Sequence, residues 1–202
     1  NINGENTGKE ISHGNGVTGR KFKSVVIDGI HGSCGTSAVG WYESPAFSLI
    51  NLEITDFSLR NVLADATSHI VQLNSSAPFG SIRLANIKKS GTSGNNVNLV
   101  SFGSATNVVN ELIIDGSVCS GNYNSIEITN ATFGKVELRG IDNTYNQASL
   151  FFMNQAAGTI DRLIIINCKD SGSTTGRFIR QAGTINKIEV DGFYGNGTQS
   201  LL

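Results

Sequence analysis

Two pairs of carboxylates are spaced so that each pair could share one reaction: Asp115 with Glu137, and Asp28 with Glu53. Each pair falls on successive copies of an internal repeat, at neighbouring outward positions of a short strand. One strand spacing of ~4.8 Å, and two residues of ~6.6 Å along the strand, put the members of a pair about 8 Å apart. Carboxyl groups about 6.5–9.5 Å apart suit inverting glycoside hydrolysis, in which one protonates the leaving oxygen and the other activates a water. Arg139 and Arg83, beside the two pairs, could bind an anionic sugar or hold one carboxylate ionised. Trp41 and Tyr42 offer ring faces for stacking on a sugar, and fit equally as core or subunit-contact residues. The catalytic candidates are therefore Asp115 and Glu137, with Arg139, Glu53, Arg83, Asp28, Trp41 and Tyr42 as substrate-binding candidates. Asp115 and Glu137 are preferred because they lie mid-chain, where a groove can extend over repeats on both sides. The same residues also read as cross-strand charge pairs, Glu53 with Arg83 and Asp115 with Arg139, on a solvated face.

The repeat that positions them occurs in seven copies, each an apolar residue followed three positions later by a short alternating strand and then a bend residue. Phe79-Gly-Ser-Ile82-Arg-Leu84-Ala-Asn86-Ile87 and Phe133-Gly-Lys-Val136-Glu-Leu138-Arg-Gly140-Ile141 show it clearly. The second copy is read as Leu49-Ile-Asn-Leu52-Glu-Ile54-Thr-Asp56-Phe57. The first inward residues, Val25, Leu52, Ile82, Leu112, Val136, Leu163 and Ile188, are spaced by 27, 30, 30, 24, 27 and 25 residues. Alternation with period 2 is strand spacing, and no segment has helical spacing. The bend is occupied by Gly29, Asp56, Asn86, Gly116, Gly140, Asn167 and Gly192, all residue types that enter the left-handed region cheaply. A second strand recurs at 38–42, 69–73, 97–102, 125–128, 150–153 and 177–180, and a short middle strand is expected after each bend, at Ile87 or Ile141 for example. Three sides per turn of about 25 residues make an all-β parallel β-helix, or β-solenoid, of about seven rungs. A leucine-rich-repeat solenoid shares part of the pattern, but the second half of each copy is strand-like.

Composition fits one domain over residues 1–202: a loop or partial rung at 1–21, repeats at 22–193 and a shortened last rung at 194–202. The lack of evident caps points to a fragment of a larger protein. Charged residues are 15% and the formal net charge is −1, which argues against nucleic acid as a partner. No apolar run reaches transmembrane length and no signal peptide opens the chain, so no membrane insertion is expected. Cys34, Cys119 and Cys168 fall on copies at least two rungs apart, too far for disulfides. His13, His31 and His69 lack metal-ligand spacing, so neither a metal nor another cofactor is expected. Val26, Ile113, Ile164 and Ile166 make an outward apolar stripe that predicts a subunit contact, unless a loop such as 105–110 covers it.

The Phe-x-x-Ile-x-Leu-x-Asn-Ile copy at 79–87, with Asn and Gly recurring at one bend, resembles the rung of the pectate-lyase-like right-handed parallel β-helix superfamily. The irregular copies and Ser/Thr/Asn-rich connections are most similar to the tailspike and appendage proteins of bacteriophages. The resemblance covers residues 22–193. It implies a homotrimer in the virion tail that binds, and often cleaves, a bacterial surface polysaccharide. The superfamily's best-defined catalytic motifs are not matched: neither the stacked calcium-binding Asp pair and Arg-x-Pro-x-x-Arg of pectate lyases nor the Asn-x-Asp, Asp-Asp and Gly-His-Gly set of polygalacturonases. His31-Gly32 is a faint echo of the last. Glycoside hydrolase and polysaccharide lyase both stay open as the reaction class. A secreted microbial lyase or hydrolase, and a structural shaft or adhesin segment without an active site, are the alternatives.

Overall fold

The computed structural model describes residues 2–13, 21–42, 53–66, 69–74, 79–89, 98–102, 107–119, 126–143, 153–170 and 178–195. These residues form strands and, among them, no helix. The first five strands are β1 (Ile2–His13), β2 (Lys21–Tyr42), β3 (Glu53–Ala66), β4 (His69–Asn74) and β5 (Phe79–Lys89). Next come β6 (Asn98–Phe102), β7 (Asn107–Asp115), β8 (Val118–Cys119), β9 (Ile126–Ile128) and β10 (Ala131–Arg139). The last are β11 (Asp142–Asn143), β12 (Met153–Gln155), β13 (Thr159–Asp170), β14 (Ile179–Gln181) and β15 (Thr184–Gly195).

Neighbouring strands of a ladder come from successive repeats and run parallel, which makes the chain a parallel β-solenoid. The first ladder passes through β2, β3, β5, β7, β10, β13 and β15. A second large ladder joins the end of β2 to β4, β6, β9, β12 and β14. Between them a narrow middle side links the end of β5 to β8, β11 and the end of β13. The turn count differs from the seven rungs expected: about three turns close around the core. β12 begins at Met153, where the expected strand ended. No helix among the described residues is long and apolar enough to cross a membrane.

Alternation in the first ladder turns one set of side chains inward. Ile82, Leu112, Val136 and Leu163 stack in one buried column, and Leu84, Ile114, Leu138 and Ile165 in the next. Each such side chain contributes about 1.5–3 kcal/mol on full burial, so the columns are the main source of stability. Phe133 of the first ladder meets Phe102 of the second edge to face, ring centres 5.0 Å apart, and so ties the two sides together. The middle side admits two small polar groups. Ser117 accepts from the Ile87 N–H at 3.3 Å and donates to the Asp115 carbonyl at 3.3 Å. The Cys168 thiol donates to the carbonyls of Leu138 and Ile166, each at 3.5 Å, and burial raises its pKa.

The register corrects the second copy. β3 sets Phe57 beside Val25 and Ile82, and Leu59 beside Ile27 and Leu84. The copy is therefore Ile54-Thr-Asp-Phe57-Ser-Leu59-Arg-Asn61-Val62, five residues beyond the expected frame, and the first two spacings become 32 and 25 residues instead of 27 and 30. Both frames satisfy the apolar pattern, because Ile54 and Phe57 serve in either. The bend separates them. Asn61 has φ 57° and donates to Asp28 at 2.7 Å, while accepting from Asn86 at 2.9 Å. An ionised Asp at the bend has no N–H to give Asp28. The other six expected bends all have positive φ, from 49° at Asn167 to 82° at Gly29.

Candidate functional site

The outward side of the first ladder is where the candidate residues converge. Its middle column runs Val26, Ser58, Arg83, Ile113, Glu137, Ile164, Glu189. One flanking column runs Asp28, Arg60, Ala85, Asp115, Arg139, Ile166, Asp191, and the other includes Ser81, Glu111, Lys135, Arg162, Lys187. Strands of a parallel ladder lie ~4.8 Å apart, so neighbours within a column are in side-chain reach.

Charges of alternating sign fill the centre of this face. Arg83 lies 3.2 Å from Glu111, Glu111 2.5 Å from Lys135, and Lys135 3.1 Å from Glu137. Arg139 donates from Nε to the other oxygen of Glu137. Glu137 is 4% exposed although it points outward. Ile113 and Ile164 stand on either side of it across the ladder, and the stems of Lys135 and Arg139 converge on it along the strand. Burial alone pushes its carboxyl up, but the hydrogen bonds from Arg139 and Lys135 outweigh that and hold it below its ordinary value. Lys135 likewise lowers Glu111, and Glu111 raises Lys135. Farther along, Glu189 takes Nε and Nη2 of Arg162 at 2.6 and 2.8 Å and Lys187 at 2.9 Å. These cations, Arg162 first, bring the Glu189 carboxyl down to about 2.

Of the expected pairs, Asp115 and Glu137 occupy adjacent rungs two residues apart, with Arg139 in register with Asp115. Asp115 and Arg139 are exposed, whereas Glu137 is covered. A carboxylate kept ionised by two cations has no proton to give, so Glu137 does not fit the general-acid role. The other pair is not formed. Glu53 opens β3 opposite Lys21, because the true second copy starts five residues later. Asp28 instead faces Arg60, 2.9 Å away, and Asn61 chiefly holds its carboxyl below the ordinary range. Arg83 belongs with Glu111 rather than Glu53. Trp41 is in register with Leu73, which is in register with Phe102, and Tyr42 is in register with Asn74. The side chains of Trp41, Tyr42 and Glu53 lie outside the described residues.

Glu111, Lys135, Arg162 and Lys187 join the face unforeseen. Their signal was present in the position just before each first inward residue, where the aligned copies read Ser81, Glu111, Lys135, Arg162, Lys187. Of the expected apolar stripe, Val26 is 62% exposed, but Ile113 is 7% exposed, already covered within the chain. Among the described residues no group of His, Cys, Asp and Glu side chains is placed to hold a metal ion. Neither a protein-family model, nor a curated protein, nor a solved structure matches the chain.

Proposed function

We propose that this chain is a polysaccharide-binding β-solenoid of the phage tailspike type, which holds a bacterial surface polysaccharide along the outward face of the first ladder without cleaving it at Asp115 and Glu137. The observation that carries this is the exposed set Asp115, Arg139 and Arg162 on successive rungs of one face. One carboxylate and two guanidinium groups on three adjacent rungs offer an acceptor and charge-assisted donors to the hydroxyl and carboxylate groups of a polysaccharide lying along the face. The cover over Glu137, which Lys135 and Arg139 hold within the chain, keeps its carboxylate from a sugar and so supports binding over cleavage at this pair. The homotrimer implied by the tailspike resemblance belongs to the same proposal, with Val26, Ile164 and Ile166 rather than Ile113 at the contact.

A panel of capsule and O-antigen polysaccharides, assayed for retention and for new chain ends, tests it. One polysaccharide class should be retained by the wild type without depolymerisation. Asp115→Asn combined with Arg162→Gln should weaken retention by about tenfold or more, the effect of losing charge-assisted hydrogen bonds. Retention of no polysaccharide in the panel, or equal retention by the variant, refutes the proposal. Depolymerisation that Asp115→Asn abolishes would restore a catalytic role. A structural shaft without a site is favoured by one observation: Glu111, Glu137 and Glu189 are all already paired within the chain. Failure of retention across the panel would leave that reading.

A further inference from the structure

We infer that the polysaccharide held on this face is an acidic one, its anionic groups lying over the column Lys135, Arg162 and Lys187. The inference rests on the binding reading above and adds the class of polymer to it. The three cations are in register on successive rungs, Lys135 with Arg162 and Arg162 with Lys187. Neighbouring strands lie ~4.8 Å apart, so a like charge recurs along the solenoid at that interval. Like charges placed opposite one another on adjacent strands repel, and an anionic ligand laid over them relieves the repulsion.

The chain's own carboxylates meet this charge only in part. In the middle column Glu137 stands on the Lys135 rung and Glu189 on the Lys187 rung, but Ile164 holds that place on the Arg162 rung. Glu189 therefore serves both Arg162 and Lys187, and Glu137 serves both Lys135 and Arg139. Glu111 lies between Arg83 and Lys135. Three carboxylates thus share five cations: Arg83, Lys135, Arg139, Arg162 and Lys187.

The cations also form the outer layer of these pairs. Arg162 and Lys187 are 48% and 65% exposed over a Glu189 at 34%, and Arg83 is 59% exposed over a Glu111 at 26%. Arg162 gives Nε and Nη2 to Glu189, two of the five N–H groups a guanidinium carries, and so keeps donors for a second carboxylate or a phosphate. The exposed aspartates of the face flank this column rather than interrupt it. Asp115 and Asp191 lie in the opposite flanking column, across Glu137, Ile164 and Glu189. Asp161, beside Arg162, takes the Asn186 amide at 2.9 Å. An acidic sugar carries both partners for such a strip: an anionic group for the cations and hydroxyls for the bordering carboxylates. A neutral polysaccharide has no group for the surplus cations.

Retention on the immobilised 202-residue chain tests it, with the capsule and O-antigen panel divided into neutral, carboxylate-bearing and phosphate-bearing members. Retention should be confined to charged members and should weaken as salt is raised, since exposed charges are screened. Reducing the carboxyl groups of a retained polysaccharide to alcohols, or removing its phosphates, should abolish retention. Lys187→Gln, at an exposed position that Asp115 and Arg139 do not touch, should weaken retention by about tenfold, the effect of one lost charge-assisted hydrogen bond, with Tm nearly unchanged. A neutral polysaccharide held as tightly as the acidic ones overturns the inference. So does retention that survives removal of the anionic groups, or equal retention by Lys187→Gln. In each of these outcomes the wild type still binds, so the acidic class falls while the binding reading stands. Retention of no member of the panel overturns both.

Discussion

Replacing Glu137 with Gln removes one charge and almost no volume, so it isolates the electrostatic contribution of the central carboxylate. Its side chain is 5% exposed, while Lys135 and Arg139 are 28% and 45% exposed. Breaking a fully buried pair costs about 3–5 kcal/mol because an uncompensated ion stays behind. An exposed pair contributes only about 0.2–1 kcal/mol. Here the carboxylate is covered but both cations reach water, and Lys135 keeps Glu111 at 2.5 Å. The expected loss lies between the limits, at about 1–2 kcal/mol. For a chain of this length that corresponds to a drop of roughly 2–8 °C in Tm. Thermal unfolding at pH 7, followed by circular dichroism, measures it. The sign with pH follows from the lowered carboxyl. The stabilisation is complete above the unfolded-state value of about 4.3 and is lost as pH falls through the depressed native value, so the gap between wild type and Glu137→Gln should close on acidification. Asp115→Asn, at an exposed position, should stay within about 0.5 kcal/mol of wild type. A Glu137→Gln variant as stable as wild type at pH 7, or a gap that persists in acid, would refute the covered-ion-pair account.

Two further expectations concern the frame and its exposed charges. Gly158→Ala should prevent folding, because the added Cβ would lie 2.0 Å from the Ala131 carbonyl oxygen at a φ of 88°, whereas Gly140→Asn, whose Cβ meets nothing closer than 3.9 Å, should fold with a loss of no more than about 1 kcal/mol; soluble-expression yield and Tm compare them. The stabilisation from Glu189 should be fully present above about pH 4.5 and fade toward about pH 2, and Arg162→Gln should flatten that part of the pH–stability curve; an unchanged curve would mean that salt and water already screen the pair.

Much of this architecture is legible in the sequence because a parallel ladder forces equivalent residues into columns. Period-2 alternation at Ile82/Leu84 and Val136/Leu138, with Asn86 and Gly140 after them, is sufficient to place strand, face and bend. The reading slipped at Leu52/Ile54, where the apolar pattern overlaps itself and only the side-chain ladder Asp28–Asn61–Asn86 distinguishes the frames. That slip carried Glu53 into a column it does not occupy. The Asp115–Glu137 adjacency was readable, since spacing fixes it. The state of Glu137 was not, because it depends on where the ends of Lys135 and Arg139 go, and rotamers are not a property of repeat spacing.

The distances between successive first strands vary from 24 to 32 residues, yet the register of each ladder is kept. From β2 to β15 the first ladder takes up its length differences between strands and not within them, whereas the β1–β2 pairing shifts register between Gly4 and Lys9. An insertion in a connection changes the local relief of the surface without moving any column, whereas a single residue gained inside a strand exchanges inside for outside in that rung alone. Such a scaffold separates two kinds of heritable change: the connecting segments can diversify freely, rung by rung, while the strands answer only to their immediate neighbours above and below.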